Sequence, residues 1–139
     1  MADMRFDTKM AIVVREDLAA WQKLNVTAFL AGGAGSDVDS LVGKPYEDGS
    51  GNRYLPLIGQ PVVVHSAGAE QLARAWERAV ARGLRVGVYT EELFGTDNDE
   101  DNRAAVRAVP AEELRLVGIA VYGPRNSVAA ALKRLPLHG

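Results

Sequence analysis

The chain has no cysteine and only two histidines among its 139 residues. The first absence excludes thiol nucleophiles, a disulfide framework and every zinc site that uses cysteine, although it says little about redox compartment. The second leaves His65 and His138 as the imidazoles for acid-base work. An excess of basic charge is also lacking. Sixteen Lys and Arg face eighteen Asp and Glu, for a formal net charge of -2 and a pI near 5.7. No general basic field therefore draws the protein onto nucleic acid or an anionic membrane. No apolar run approaches the length of a membrane span, and the opening "MADMRFDTK" does not read as a secretory leader. The expectation is a cytoplasmic protein with no membrane partner and no nucleic-acid partner.

What is present is one domain's worth of core. A hydrophobic content of 47% over residues 1–139 is enough for a single α/β domain. Four short apolar runs stand out: Met10 to Val14, Pro61 to Val64, Arg85 to Tyr89 and Leu116 to Tyr122. They are mostly continuous rather than alternating, which predicts strands buried on both faces of a mixed, mostly parallel sheet with helices on each side. Helical patterns fall between them, at about Leu18 to Ala31, Ala69 to Arg82, Asp99 to Val109 and Asn126 to Leu135. The turn-rich "YEDGSGNRYLPLI", flanked by Tyr46 and Tyr54, predicts a small hairpin.

The most conspicuous local chemistry is "FGTDNDEDNRAAV", where four carboxylates and two asparagines occupy Asp97 to Asn102. A calcium loop beginning at Asp97 requires glycine at its sixth position and glutamate at its twelfth, but Asn102 and Ala108 stand there. The alternative is a helix start. Thr96 with Asp99 matches a capping box, Asp97 and Asn98 are also good caps, and acids favour the positive end of the helix dipole. Neither a metal nor a cofactor is expected, though the patch can border a pocket. "GGAGS" (Gly32 to Ser36) reads as a helix stop and loop, because a phosphate cradle joins a strand to a helix. His65 and Ser66 are adjacent at a strand end and have no nucleophile elbow, so they read as a polar strand terminus.

On the second helical pattern Leu72, Trp76, Ala79, Val80 and Gly83 form one stripe, with Arg74, Arg78 and Arg82 opposite. That arginine face reads as a solvated one accompanied by Glu70 and Glu77, since no aromatic residues interleave it. Asn25 and Thr27 are less ordinary, because "LNVTAF" places poor helix formers in mid-helix, a local conflict found at functional sites or where packing overrides propensity.

The segments "FDTKMAIVVREDLAAWQKLNVTAFLAGG", "GQPVVVHSA", "VYTEELFGTDNDEDNRAAV" and "LVGIAVYGPRNSVAAALKRLPLHG" together resemble the domain-of-unknown-function family numbered two thousand, over nearly the whole chain. The resemblance implies a type II peptidyl-tRNA hydrolase-like fold of about four strands, and a homodimer. "KMAIVVREDL" is similar to the first strand of the hydrolase and the Arg and Asp-Leu after it; "VGIAVYGPRNSVAAALKRLPL" is similar to its last strand and helix. Arg15 and Asp17 carry over by position and Lys23 loosely, whereas the hydrolase's glycine-lysine turn, its helix with glutamine and histidine, and its late Asp-Ala-Gly segment have no counterpart.

The favoured site lies where the first strand ends. Arg15 is expected to take an anion, Asp17 to act as catalytic base or acceptor, and Trp21 and Asn25 to form wall and polar contact for a small molecule. One face carrying an acid, an indole and an amide suits a polar, planar ligand. The structural alternative makes Asp17 a cap, Arg15 its ion-pair partner, Trp21 core and Asn25 a satisfied buried amide. Two other functions stay open: a dimeric module binding RNA or protein, and a peptidyl-tRNA hydrolase-like enzyme.

Overall fold

The computed structural model describes residues 6–139; the expectation that the chain opens without a secretory leader falls partly on residues 1–5, outside them. Strand β1 (Thr8–Arg15) leads into helix α1 (Ala20–Asp37), then a hairpin of β2 (Tyr46–Glu47) and β3 (Arg53–Tyr54). Strand β4 (Val62–Ala67), helix α2 (Ala69–Ala81) and strand β5 (Arg85–Thr90) follow. A 3-10 turn over Glu91–Gly95 and helix α3 (Asp99–Arg107) lead to strand β6 (Leu116–Pro124) and helix α4 (Arg125–Ala131). The four longer strands form one sheet in the order β4-β1-β6-β5.

The sheet is mixed, as expected, but it is less parallel than the apolar runs implied. β1 pairs with β4 in parallel, while β6 lies between β1 and β5 and is antiparallel to both. The short return through α3 brings the chain back beside β5 with its direction reversed, so two of the three ladders are antiparallel.

Both faces of the sheet are covered. Met10, Ile12 and Val14 of β1 join Val117 and Ala120 beneath Val26 and Leu30 of α1, and the intervening Ala11 and Val13 face α2 and α4. Continuous apolar runs are what alternation requires when each face has its own helical layer. On α2 the buried residues are Leu72, Ala75 and Ala79, and Val80 of the expected stripe is exposed. The arginine face is broken as well, because Arg78 turns inward and its Nε donates to the Ala131 carbonyl at the end of α4, 2.8 Å away.

The "GGAGS" segment does not stop α1, which runs on to Asp37. Helical glycine costs up to about 1 kcal/mol per residue relative to alanine. Here the last two turns are held by packing of Ala31, Ala34 and Val38 onto the core, and Asp37 pairs with Arg85 of β5. The helix actually stops at Val38, whose backbone is extended and whose N–H still donates to Ala34.

The expected hairpin is present, with Tyr46 opposite Tyr54. Asp48 organises its turn, accepting from the Ser50 and Asn52 amides and from the Tyr54 hydroxyl at 2.7 Å, and these donors, led by Tyr54, hold its carboxyl well below the usual range.

The approach of α1 to the sheet depends on glycine in β6. A Cβ on Gly118 would lie 2.5 Å from Val26 Cγ1, and 3.3 Å from both Leu30 Cδ1 and the Val13 carbonyl oxygen. A β-branched neighbour and a backbone atom leave little room to yield. Gly118→Ala is therefore expected to lower stability by about 1 to 3 kcal/mol, the usual cost of overpacking. Urea denaturation of the two proteins measures it, and an unchanged midpoint would contradict the close approach.

Candidate functional site

The residues expected at the end of β1 separate into two groups. Arg15 and Asp17 belong to an ion-pair network that ties three chain segments together. Arg15 Nε donates to Asp17 Oδ1 at 2.6 Å, its Nη1 reaches Glu91 Oε1 at 2.7 Å, and the same nitrogen lies 3.4 Å from the Leu116 carbonyl oxygen. Arg115 continues the network, 2.9 Å from Glu92 and 3.6 Å from Glu91. The guanidinium of Arg15 already meets carboxylates of its own chain, as in the ion-pair alternative. Asp17 does not cap α1; the residue before that helix is Ala19, whose N–H donates to the Gln22 side chain. The Arg15 hydrogen bond holds the Asp17 carboxyl below its usual range, and the same contact raises the guanidinium. A carboxylate held ionised in this way is a weaker base than a free one.

Trp21 and Asn25 sit elsewhere. They lie one turn apart on the outer flank of α1, and Phe29 extends the ridge by another turn. Trp21 is 60% exposed rather than core, and Asn25 is exposed rather than a buried amide. Neither Arg15 nor Asp17 lines the recess that this ridge borders.

The recess has a volume of about 440 Å³ and lies between α1 and the segment from Leu93 to Asn102. Its floor is aromatic. Phe94 meets the Trp21 ring edge-on at 5.9 Å and the Tyr89 ring at 5.2 Å, and Tyr89 in turn lies 6.1 Å from Phe29. Tyr89 is largely buried, and loss of water pushes its phenol above the usual value. The polar rim comes from Asn25, Thr96, Asp97, Asn98, Asp99 and Asn102, and no Lys or Arg lines the space.

The acidic patch that borders this recess is a helix start. Its cap is Asn98, not Thr96: the Asn98 side chain accepts from the Asp101 amide at 2.8 Å and donates to Asp97 and Asp101. Thr96 has another task, donating to the Leu93 carbonyl at 3.1 Å and bonding Asn102, so it pins the loop against the helix it precedes. Asp99 pairs with Arg103 one turn on. Among the described residues no three of His, Asp and Glu converge where they could hold a metal ion. No described helix is long and apolar enough to cross a membrane.

His65 is buried, and its Nδ1 faces the Leu135 carbonyl oxygen at 3.1 Å. It lies within β4 rather than at its end. Sequence reasoning missed Tyr89, Phe94 and Asn102 as partners of Trp21, since they come from other elements and no spacing rule connects them. The acidic patch was the available signal.

A family model, described as a protein of unknown function (DUF2000), matches residues 8–139. The chain belongs to this family. A solved structure of a protein of unknown function from Agrobacterium tumefaciens superposes with a TM-score of 0.93 at 40% sequence identity, covering 97% of this chain and 100% of that one. No curated protein matches the sequence. The overall fold is thus common to a relative at substantial identity.

The network at the end of β1 makes a prediction about stability. Asp17 has a depressed carboxyl pKa when folded, so its pairing contributes above its unfolded pKa of about 3.9 and is lost as pH falls through the lower folded value. Arg15→Met is expected to cost about 1 to 3 kcal/mol at neutral pH, from lost charged hydrogen bonds. The gap between the two proteins should narrow below about pH 4. Chemical denaturation at pH 7 and pH 3 tests it, and a gap that widens in acid would contradict the assignment.

Proposed function

We propose that this protein binds a small, planar, polar molecule in the recess between α1 and the Phe94–Asn102 segment, on a fold of the type II peptidyl-tRNA hydrolase kind. The observation that carries the reading is that Trp21, Asn25 and the acidic segment, distant in sequence, border one space of about 440 Å³. That volume lies within the roughly 300 to 1,000 Å³ of small-ligand clefts. Trp21, Phe29 and Phe94 offer ring surface for a flat ligand, and Asn25 and Asn102 offer both donors and acceptors. Asp97 on the rim, with no Lys or Arg among the lining residues, disfavours an anion. Binding is favoured over hydrolysis, because Asp17, the acid that carries over from the hydrolase, is committed to Arg15.

The test is a thermal-shift screen of nucleobases, amides and aromatic amines, followed by calorimetry. Trp21→Ala and Asn25→Ala should each weaken the ligand found by at least about tenfold, the scale of one well-made contact. Both should disturb melting less than Ile12→Ala, which opens a core cavity and costs about 2 to 5 kcal/mol. Ligands whose affinity ignores both substitutions would overturn the reading.

A homodimer is the second reading. Tyr46, Tyr54, Leu55 and Leu57 of the hairpin region are each more than half exposed, with Leu55 at 84%. An apolar arm of this kind marks an interaction surface, and a second copy offers the same arm by two-fold symmetry. Light scattering at micromolar concentration should give a dimer mass that falls to monomer in Leu57→Asp. Wild-type monomer would remove this reading and leave the recess untouched.

A further inference from the structure

The opposite flank of α1 carries a second recess, independent of the one described above. Its volume is about 320 Å³, and its walls are apolar: Val14 from β1, Val64 from β4, and Ala20, Leu24 and Thr27 from α1. Two polar groups look into it. Lys23 Nζ and His138 Nε2 stand 3.2 Å apart, although 115 residues separate them in the chain.

Both residues sit on hydrogen-bonded backbone. Lys23 sits in the second turn of α1, where its carbonyl accepts from the Thr27 hydroxyl at 2.7 Å. His138 belongs to a terminal segment stapled along the free edge of β4. The Ser66 N–H donates to the Pro136 carbonyl at 3.1 Å, and the His138 N–H donates to the Val64 carbonyl at 2.9 Å. The imidazole Nδ1 lies 2.8 Å from the Gly139 oxygen, which can only accept, and the tautomer assigned from this contact carries its proton on Nδ1. Nε2 is then a lone pair, and the ammonium donates to it. This uses one of the three ammonium N–H donors. Among the described residues Lys23 has no carboxylate within ion-pair distance. Asp17 feels its charge, but that carboxylate is bonded to Arg15.

A cation with spare donors over an apolar hollow matches an anion that has an apolar body. We infer that this recess binds a small organic carboxylate, its hydrocarbon or aromatic part against Val14, Leu24 and Val64 and its carboxylate on Lys23. His138 acts as a positioning residue, orienting the ammonium through Nε2. The volume, near the lower end of the roughly 300 to 1,000 Å³ range, limits the ligand to a few carbons or one ring. The rim of the other recess is acidic and this one is cationic, so the two flanks of one helix select opposite charge.

The experiment titrates the purified protein with benzoate and butyrate, and with benzamide and butyramide, the neutral isosteres, while recording amide NMR spectra. The acids should perturb Lys23, Leu24, Thr27, Val64 and His138, and the amides should bind at least about tenfold more weakly, the scale of one charged hydrogen bond. Lys23→Met should weaken benzoate by a similar factor while its spectrum stays dispersed, and Lys23→Arg should retain binding. His138→Phe removes the acceptor for the ammonium and should weaken benzoate without abolishing it. Equal binding of acid and amide would overturn the proposal. So would perturbations confined to other residues, or benzoate binding unchanged in Lys23→Met.

Discussion

The contact of α1 with β6 at Gly118 sets the position of almost everything else. With no side chain there, Val26 and Leu30 settle onto the middle of the sheet, and Leu30 also reaches Gly87 on β5. The helix is thereby fixed low over the two central strands. Its remaining surface is divided into two flanks, one facing the 3-10 turn and α3, the other facing β4 and the terminal segment. Each flank borders a recess. A helix with apolar residues around most of its circumference is ordinarily buried on all sides. In this chain Trp21, Leu24 and Phe29 remain exposed because the layer beside α1 is incomplete.

The end of the sheet where ligands commonly sit in open α/β folds is closed here by charge. Arg15, Asp17, Glu91, Glu92 and Arg115 satisfy one another across β1, the 3-10 turn and the start of β6. Open sheets of this class place ligands beyond the carboxyl ends of their strands. With that position filled by an ion-pair network, the open space is displaced sideways to the flank of α1, where Phe94 and Tyr89 provide a floor. The network has a structural role of its own, since it extends past the strand ends the connection that the β1–β6 and β5–β6 ladders make.

The strands were legible because burial on two faces writes itself as an unbroken apolar run, and all four were found within a few residues of their ends. Their directions were not, because antiparallel insertion of β6 leaves the same run as a parallel strand does. The end of α1 was misread at Gly32 because a local stop signal was outweighed by packing of Ala34 and Val38, contacts made with distant strands. Helical spacing alone placed Trp21 beside Asn25. It could not reveal Phe94 and Asn102 across the recess, nor His138 beside Lys23, since those meetings are set by tertiary structure. Arg15 and Asp17 were correctly placed at the strand end, yet nothing in their local sequence announced Glu91 as the partner that closes the position.

The central claim is that the recess bordered by Trp21 and Asn25 is a ligand site. Native mass spectrometry of the freshly purified protein, under conditions gentle enough to preserve non-covalent complexes, tests it most directly. The account predicts a discrete small-molecule adduct on the wild-type chain that disappears in the Trp21→Ala, Asn25→Ala double variant. An adduct of the same mass and occupancy on that variant, or a bare wild-type chain that also takes up no member of a library of planar polar metabolites, would contradict it.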